Sequence, residues 1–188
     1  MRRLLIFGLI ALAGCATRPS SSSIEWSIVK AHPSGTPEPT VQNGQLVLSG
    51  RAARSSKTYA APATIECELQ PQQASTNSTF YIDLVPEGQS LDVLPVDYLG
   101  IKLVHDQQLY VWLSQGSQPT QLIKPVSVHA DSEGGYKLSV ELRPDGLGIR
   151  VNNETFKIDK VMPFDKFRIE LRTFPPANSW QIRNLSVY

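Results

Sequence analysis

Apolar and polar side chains alternate along most of the chain from residue 24 onward. In the segment TIECEL, Ile65, Cys67 and Leu69 occupy every second position, and glutamates lie between them. Successive side chains of a β-strand point to opposite faces of a sheet, so this alternation predicts strands with one buried face. No segment of this region has a convincing helical period. The pattern therefore predicts an all-β domain.

Short clusters rich in Pro, Gly and Asn separate these runs, among them PEG, SEGG, RPDG and VNNE. Proline and glycine preset the backbone angles of tight turns, and turns at this spacing are typical of an antiparallel sandwich or barrel. The PDG and NNE turns predict that the C-terminal part, from Tyr136 onward, is an antiparallel meander. Trp26 and Trp180 are expected to fill the core, because large aromatic side chains dominate cores.

The same alternation assigns the two faces of the C-terminal strands. The residues predicted to point into the core are Tyr136, Leu138, Val140, Leu142, Leu147, Ile149, Val151, Phe167, Ile169 and Leu171. The residues predicted to lie on the solvent side are Lys137, Ser139, Glu141, Arg143, Arg150, Arg168, Glu170 and Arg172. We therefore expect one face of almost every strand to be exposed to water.

The order of these segments resembles that of a known fold. An early NGQLVLSG, a central YIDLV, the run YKLSVELRPDGLGIRVNNETF and a closing WQIRNLSVY are similar to segments of the concanavalin A-like lectin and glucanase jelly roll. The resemblance is strongest to its laminin-G-like and keto-disaccharide-hydrolase-like bacterial branches, and it covers most of residues 24–188. It implies an antiparallel two-sheet sandwich, but unrelated functions share such folds.

Residues 1–23 have a different composition. Arg2 and Arg3 precede an apolar block at residues 4–14, which is shorter than the about 20 residues of a membrane span and has the size of a secretory signal. The block ends in LAGC, which resembles the lipobox of bacterial lipoproteins. The resemblance implies cleavage before Cys15 and a diacylglycerol on its sulfur. The alternative is that Cys15 is an ordinary residue of a cleaved signal or of a buried N-terminal helix.

These observations divide the chain into a signal peptide at 1–14, a lipidated cysteine with its tether at 15–23, and one β-sandwich domain at 24–188. The tether sequence ATRPSSSS is small and polar, which is typical of a flexible linker. Ala16 follows the cysteine, and similarity to the enteric sorting pattern favours the outer membrane over the inner one. We therefore expect a lipid-anchored protein of the bacterial cell envelope, whose periplasmic or surface orientation the sequence leaves open.

Charge, cysteine content and residue spacing indicate which partners, disulfides and metals to expect. The formal net charge is +1 and no basic run occurs, so we expect no nucleic-acid partner. Cys67 is the only other cysteine, so a lipidated Cys15 leaves no internal disulfide, and alternation places Cys67 in the core. The histidines lack metal-ligand spacing, and Asp92 and Asp97 lack the regular loop of a calcium site. No metal or cofactor is predicted.

Glu66 and Glu68 form the one carboxylate pair that suits a glycoside hydrolase of this fold. Such enzymes need two acids about 5 to 9.5 Å apart, and alternate residues of one strand face lie about 6.6 Å apart. Glucanases of the resembled fold carry Glu, Asp and Glu at alternating positions, however, and IECELQ lacks the middle Asp. No GxSxG motif occurs either. We therefore expect binding rather than catalysis, with a divergent glycoside-processing enzyme as the alternative.

The segment QLYVWLSQ is partly apolar on both faces. Its leucines and valine share one face, whereas Tyr110 and Trp112 share the other. One interpretation is a central strand of a concave sheet, on which a sugar ring stacks against these rings beside Tyr81 and Asp83 of YIDLV. The alternative is that a loop or a partner covers the rings. The sequence thus predicts a glycan-binding domain, with a structural envelope protein that binds other proteins as a further alternative; it specifies neither sugar nor oligomeric state.

Overall fold

The structure is a computed structural model that describes residues 24–29, 38–42, 45–72, 77–160, 162–175 and 177–188. The predicted signal peptide, Cys15 and the tether lie outside these residues. Across the described ranges no helix is long and apolar enough to cross a bilayer. The strands are β1 (Trp26–Ile28), β2 (Thr40–Gln42), β3 (Gln45–Ser49), β4 (Ala53–Ser55), β5 (Tyr59–Ala60), β6 (Ala63–Pro71), β7 (Thr79–Pro86), β8 (Tyr98–Val104), β9 (Gln108–Gln115), β10 (Gln118–Gln121), β11 (Val126–Ser127), β12 (Tyr136–Arg143), β13 (Gly146–Val151), β14 (Glu154–Ile158), β15 (Lys166–Phe174) and β16 (Ser179–Val187).

The strands form two antiparallel sheets. The large sheet has the order β1-β4-β15-β7-β8-β9-β10, with β5 paired to β15 and β11 paired to β9. The small sheet has the order β14-β13-β12-β6-β16-β3-β2. The inner faces of both sheets contribute the buried residues of one hydrophobic core. This confirms the predicted all-β sandwich of the jelly-roll type.

The predicted alternation is present in β6, the TIECEL strand. Ile65, Cys67 and Leu69 are buried, whereas Glu66 and Glu68 are partly exposed. Burial, with a smaller contribution from the neighbouring Glu68 and Glu66, raises the pKa of the Cys67 thiol to about 12. The thiol therefore stays protonated at neutral pH and packs as a small apolar side chain.

Trp180 occupies the centre of an aromatic cluster between the sheets. Its side chain is 0% exposed, and its Nε1 donates a hydrogen bond of 2.7 Å to Ser78 Oγ. The rings of Phe80 and Tyr136 lie 5.7 and 6.1 Å from it. Trp26, in contrast, is half-buried and packs against the rim of the core from the edge strand β1. The expectation of a core residue thus holds for Trp180 and only in part for Trp26.

The predicted meander is correct for three strands. A turn at Pro144 and Asp145 joins β12 to β13, and Asn152 takes a left-handed φ of 52° in the turn that joins β13 to β14. The next strand, β15, belongs to the large sheet. The prediction of one continuous meander is therefore wrong beyond β14, because turn signals predict where strands end but not which sheet the next strand enters.

Glu170 is predicted to lie on the solvent side, and this prediction is wrong. Its side chain is 0% exposed, and its Oε2 accepts hydrogen bonds of 2.9 and 2.6 Å from Nε and Nη2 of Arg54. Arg54 Nη1 in turn donates to the main-chain oxygens of Gln89 and Ser90, so the segment 87–97 lies over this ion pair. Ser139, on the small sheet, is also buried. Alternation assigns a side chain to a face, but it does not predict a loop that covers the face.

Candidate functional site

The predicted ligand residues lie together on the outer face of the large sheet. Tyr110 and Trp112 are on β9, and Tyr81 and Asp83 are on β7. Strand β8 lies between β7 and β9 and pairs with both of them. The rings of Tyr81, Tyr110 and Trp112 are half-buried, whereas Asp83 is 1% exposed. Three of the predicted side chains thus reach the surface on the two strands that flank β8.

Cations and aromatic rings alternate along one row of this face. Strand register places Arg172, Tyr81, Lys102 and Tyr110 side by side on β15, β7, β8 and β9. The Arg172 guanidinium carbon lies 3.8 Å from the centre of the Tyr81 ring. The Lys102 ammonium lies 4.9 Å from the Tyr110 ring centre and 5.9 Å from that of Tyr81. These distances are those of cation–π contacts, which hold the long cationic side chains against the sheet.

Gly100 makes room for the Trp112 indole. The two residues are cross-strand partners, and a Cβ on Gly100 would lie 2.4 Å from Cε2 and 2.7 Å from Nε1 of the ring. The rings of Tyr81 and Tyr98 meet the indole edge-on at centroid distances of 6.2 and 6.3 Å. Edge-to-face contacts of this kind are favourable for aromatic pairs. We call the surface formed by Tyr81, Tyr98, Tyr110 and Trp112 the aromatic platform.

Hydrogen bonds fix the polar groups beside the aromatic platform. Arg172 Nε donates a 2.9 Å hydrogen bond to Asp83 Oδ2, so the buried carboxylate holds the guanidinium over Tyr81. Burial raises the pKa of the Tyr81 hydroxyl, which therefore stays protonated at neutral pH. The Tyr110 hydroxyl donates to Gln108 Oε1 at 2.5 Å. Asp83 therefore positions Arg172 from below, whereas the sequence suggested that it lies beside a sugar.

Segment 87–97 leads into β8 at Tyr98 and is held by hydrogen bonds to β9 and to the turn that follows β9. Its Val96 oxygen accepts a 2.8 Å hydrogen bond from Ser114 Oγ, and Asp97 Oδ1 accepts one of 2.6 Å from the main-chain nitrogen of Gly116. Together with the contacts from Arg54, these bonds hold the segment at both its middle and its C-terminal end, directly before Tyr98. Within the described ranges no group of three or more His, Cys, Asp or Glu side chains is arranged to hold a metal ion.

The predicted carboxylate pair lies on the other side of the sandwich. Glu66 and Glu68 are on the outer face of the small sheet, where Glu66 forms a loose 3.7 Å ion pair with Arg150. Asp83 and Glu170 are cross-strand partners on the platform side, but both are almost fully buried and each contacts an arginine. Neither pair supplies two accessible carboxylates at the platform, as the hydrolysis of a glycoside would need.

A separate apolar cavity of about 170 Å³ opens at one end of the sandwich. Its walls include Leu99, Leu142 and Met162, with Arg143 and Lys160 among the polar residues. None of the predicted ligand residues lines this cavity. The platform and the cavity are therefore distinct features of the molecule.

The sequence analysis missed Tyr98, Gly100, Lys102 and the contribution of Arg172 to this surface. The segment DYLGIKLV alternates, so it places the first three on one face. What a single sequence does not supply is the pairing of β8 between β7 and β9. Without that pairing, nothing connects Lys102 with the rings of the neighbouring strands.

Comparison with known proteins identifies the fold. No family model and no curated protein matches the chain. Among solved structures, the carbohydrate binding module CBM66 from Bacillus subtilis superposes with a TM-score of 0.64 at 10% identity, covering 89% of this chain and 96% of that one. The metal-free carbohydrate recognition domain of Emp46p gives a TM-score of 0.62 at 18% identity, covering 87% of each chain.

A Bacillus licheniformis beta-glucanase is also similar, with a TM-score of 0.58 at 12% identity over 87% of this chain and 91% of that one. Identities this low establish the fold and no activity. The resemblance noted in the sequence is therefore confirmed at the level of architecture. The chain has the concanavalin A-like jelly-roll fold.

Proposed function

We propose that the protein binds carbohydrate on the aromatic platform. The observation that carries this proposal is the half-buried Trp112 ring, which Gly100 accommodates and which Tyr81 and Tyr98 brace edge-on. A sugar presents an apolar face that packs on such a ring and hydroxyls that bond to neighbouring polar groups. Tyr81, Tyr110, Lys102 and Arg172 place such groups around it. Two of the similar folds are named as a carbohydrate binding module and a carbohydrate recognition domain, which supports the proposal.

Binding is favoured over glycoside hydrolysis. The paired acids Glu66 and Glu68 are on the opposite side of the sandwich, and the acids beneath the platform contact arginines. Asp83 and Glu170 are 1% and 0% exposed, so neither carboxylate is positioned to reach a glycosidic oxygen on the platform. The platform therefore combines recognition groups without a catalytic pair.

A screen on an array of neutral and acidic glycans tests this function. The full chain is expected to bind a subset of the glycans, and the same array with Gly100→Ala tests whether the platform does the binding. The added methyl group displaces the Trp112 indole, because a Cβ would stand 2.4 Å from it. We expect Gly100→Ala to weaken binding at least tenfold and to change the melting temperature far less than loss of the fold would.

Gly148→Ala is the matched control for this substitution. Gly148 also lies within a strand, but its Cβ would meet the Glu141 side chain at an ordinary 3.5 Å. This variant should bind the same glycans as the wild-type chain. Retention of full affinity by Gly100→Ala would show that the position of Trp112 does not matter for binding, and the absence of any bound glycan would refute the proposed function.

We also propose that the domain is held at the bacterial cell envelope, at the outer membrane, by a lipid on Cys15. The support is the sequence itself, in which the LAGC motif ends a short apolar block and precedes a polar tether. Two or more acyl chains give stable membrane attachment, whereas one gives only marginal attachment. Cys15→Ser is expected to move the protein from the membrane fraction into the soluble fraction. Retention of the variant in membranes after a high-salt wash would contradict a lipid anchor.

A further inference from the structure

Lys102 is a cation without a counter-charge on the platform. It lies on β8, and within the described part of the chain no carboxylate oxygen lies within 4.0 Å of its ammonium group. The carboxylates of this part of the sheet, Asp83 and Glu170, are buried and contact Arg172 and Arg54. The contacts of the Lys102 ammonium within the described residues are with the rings of Tyr110 and Tyr81, at 4.9 and 5.9 Å.

The setting of Lys102 makes it suited to an anion. Its side chain is half-buried between Tyr81 and Tyr110, so the ammonium has lost part of its hydration. Hydrogen bonds between ions are shorter and stronger than those between neutral groups. A hydroxyl of a neutral sugar can accept a hydrogen bond from an ammonium group, but it leaves the positive charge uncompensated. An anionic group accepts the same hydrogen bond and also compensates the charge. Arg172 stacks on the other side of Tyr81 and adds a second positive group to the same row.

Lys102 is also close enough to Trp112 to share one sugar unit with it. Gly100 is the direct cross-strand partner of Trp112, and Lys102 follows two residues later on the same face of β8. Diagonal neighbours of this kind lie about 7–8 Å apart. A sugar ring stacked on the indole can thus place a carboxylate or sulfate substituent at the Lys102 ammonium.

We infer that the ligand of the aromatic platform is an acidic saccharide, whose carboxylate or sulfate group is bound by Lys102. This inference rests on the proposed carbohydrate-binding function. It specifies the chemical class of the ligand, because stacking on Trp112 alone does not distinguish neutral from acidic sugars. The shared chemistry is an anionic substituent on a sugar ring, and the two sources of the anion are separate arms of the test.

The test compares acidic polysaccharides with matched neutral forms at constant ionic strength. The carboxylate arm uses polygalacturonate and its methyl ester, and the sulfate arm uses dextran sulfate and dextran. Any acidic glycan retained in the array is added with its esterified or desulfated form. The wild-type full chain is expected to bind the acidic member of at least one pair at least tenfold more tightly than the neutral member. Lys102→Met is expected to reduce that affinity at least tenfold.

Lys137→Met is the matched control, because Lys137 lies within β12 on the exposed outer face of the small sheet. It removes one positive charge from the opposite side of the sandwich and should leave binding unchanged. Equal affinity for the acidic and neutral members, unchanged binding by Lys102→Met, or an equal loss with Lys137→Met would each overturn the inference. If the array retains only neutral glycans, the acidic ligand is refuted while the proposed function stands; if it retains none, both fail.

Discussion

Glu170→Gln is expected to lower the free energy of unfolding by about 3–5 kcal/mol, because it leaves the buried Arg54 guanidinium without its carboxylate. The side chains of Arg54 and Glu170 are 1% and 0% exposed, so bulk water cannot solvate the guanidinium in place of the lost carboxylate. In a domain of this size each kcal/mol lowers the melting temperature by roughly 2–4 °C. Thermal unfolding followed by circular dichroism will show the loss directly.

An exposed ion pair provides the control for this prediction. Glu66 and Arg150 lie 3.7 Å apart with side chains 34% and 57% exposed, so Glu66→Gln should change stability by about 1 kcal/mol or less. The double variant Arg54→Met with Glu170→Leu should recover much of the loss, since apolar pairs often replace buried ion pairs at little cost. If Glu170→Gln has the same melting temperature as the wild-type chain, the burial described for this ion pair is wrong.

The Arg54–Glu170 pair also holds a segment that adjoins the aromatic platform. Arg54 holds the main chain of segment 87–97 through the oxygens of Gln89 and Ser90, both at 2.9 Å. The same segment leads directly into Tyr98, the first residue of β8. The buried ion pair thus holds in place the segment that precedes one of the platform rings.

The contrast between β6 and β15 shows how far alternation predicts the fold. In β6 the apolar positions 65, 67 and 69 are buried and the glutamates between them are partly exposed, as the pattern predicts. In β15 the same pattern places Glu170 on the correct face but in the wrong environment, because segment 87–97 covers it. Alternation depends on the local backbone, whereas the burial of an outer sheet face by a loop depends on contacts between residues distant in the sequence.

For the aromatic platform, too, the sequence predicts the face on which a side chain lies but not its neighbours. Both faces of QLYVWLSQ carry large side chains, and the structure places Tyr110 and Trp112 on the outer face as the pattern suggests. The strand that carries them, β9, lies beside the edge strand β10 and is not central in the sheet, because strand order depends on long-range pairing. The neighbours of those rings depend on strand order and register. Lys102 is opposite Tyr110 only because β8 pairs with β9 in this register, and one sequence does not specify that register.

Trp112→Ala is expected to abolish most glycan binding while the domain stays folded. Stacking rings at the centre of a binding surface commonly contribute about 2 kcal/mol or more, and each 1.4 kcal/mol is a tenfold change, so affinity should fall about thirtyfold or more. The indole is half-buried on the outer face, so the stability loss should be smaller than the about 3–5 kcal/mol of a fully buried tryptophan. Tyr110→Ala, on the same face, should likewise weaken binding more than stability.

Trp26→Ala provides a control for the loss of a tryptophan as such. Trp26 is also half-buried in the large sheet, but it lies on the edge strand β1, away from the platform. Its removal should reduce stability to a comparable extent without changing glycan affinity. A parallel loss of affinity in both variants would indicate general damage to the fold rather than loss of a ligand contact.

The most direct measurement of the central claim is a calorimetric titration of the wild-type chain, Trp112→Ala and Trp26→Ala with the glycan that the array retains most strongly. We expect the wild type and Trp26→Ala to bind with the same affinity, and Trp112→Ala to bind about thirtyfold more weakly or not at all. Wild-type affinity in a folded Trp112→Ala variant would contradict the claim that the aromatic platform binds carbohydrate.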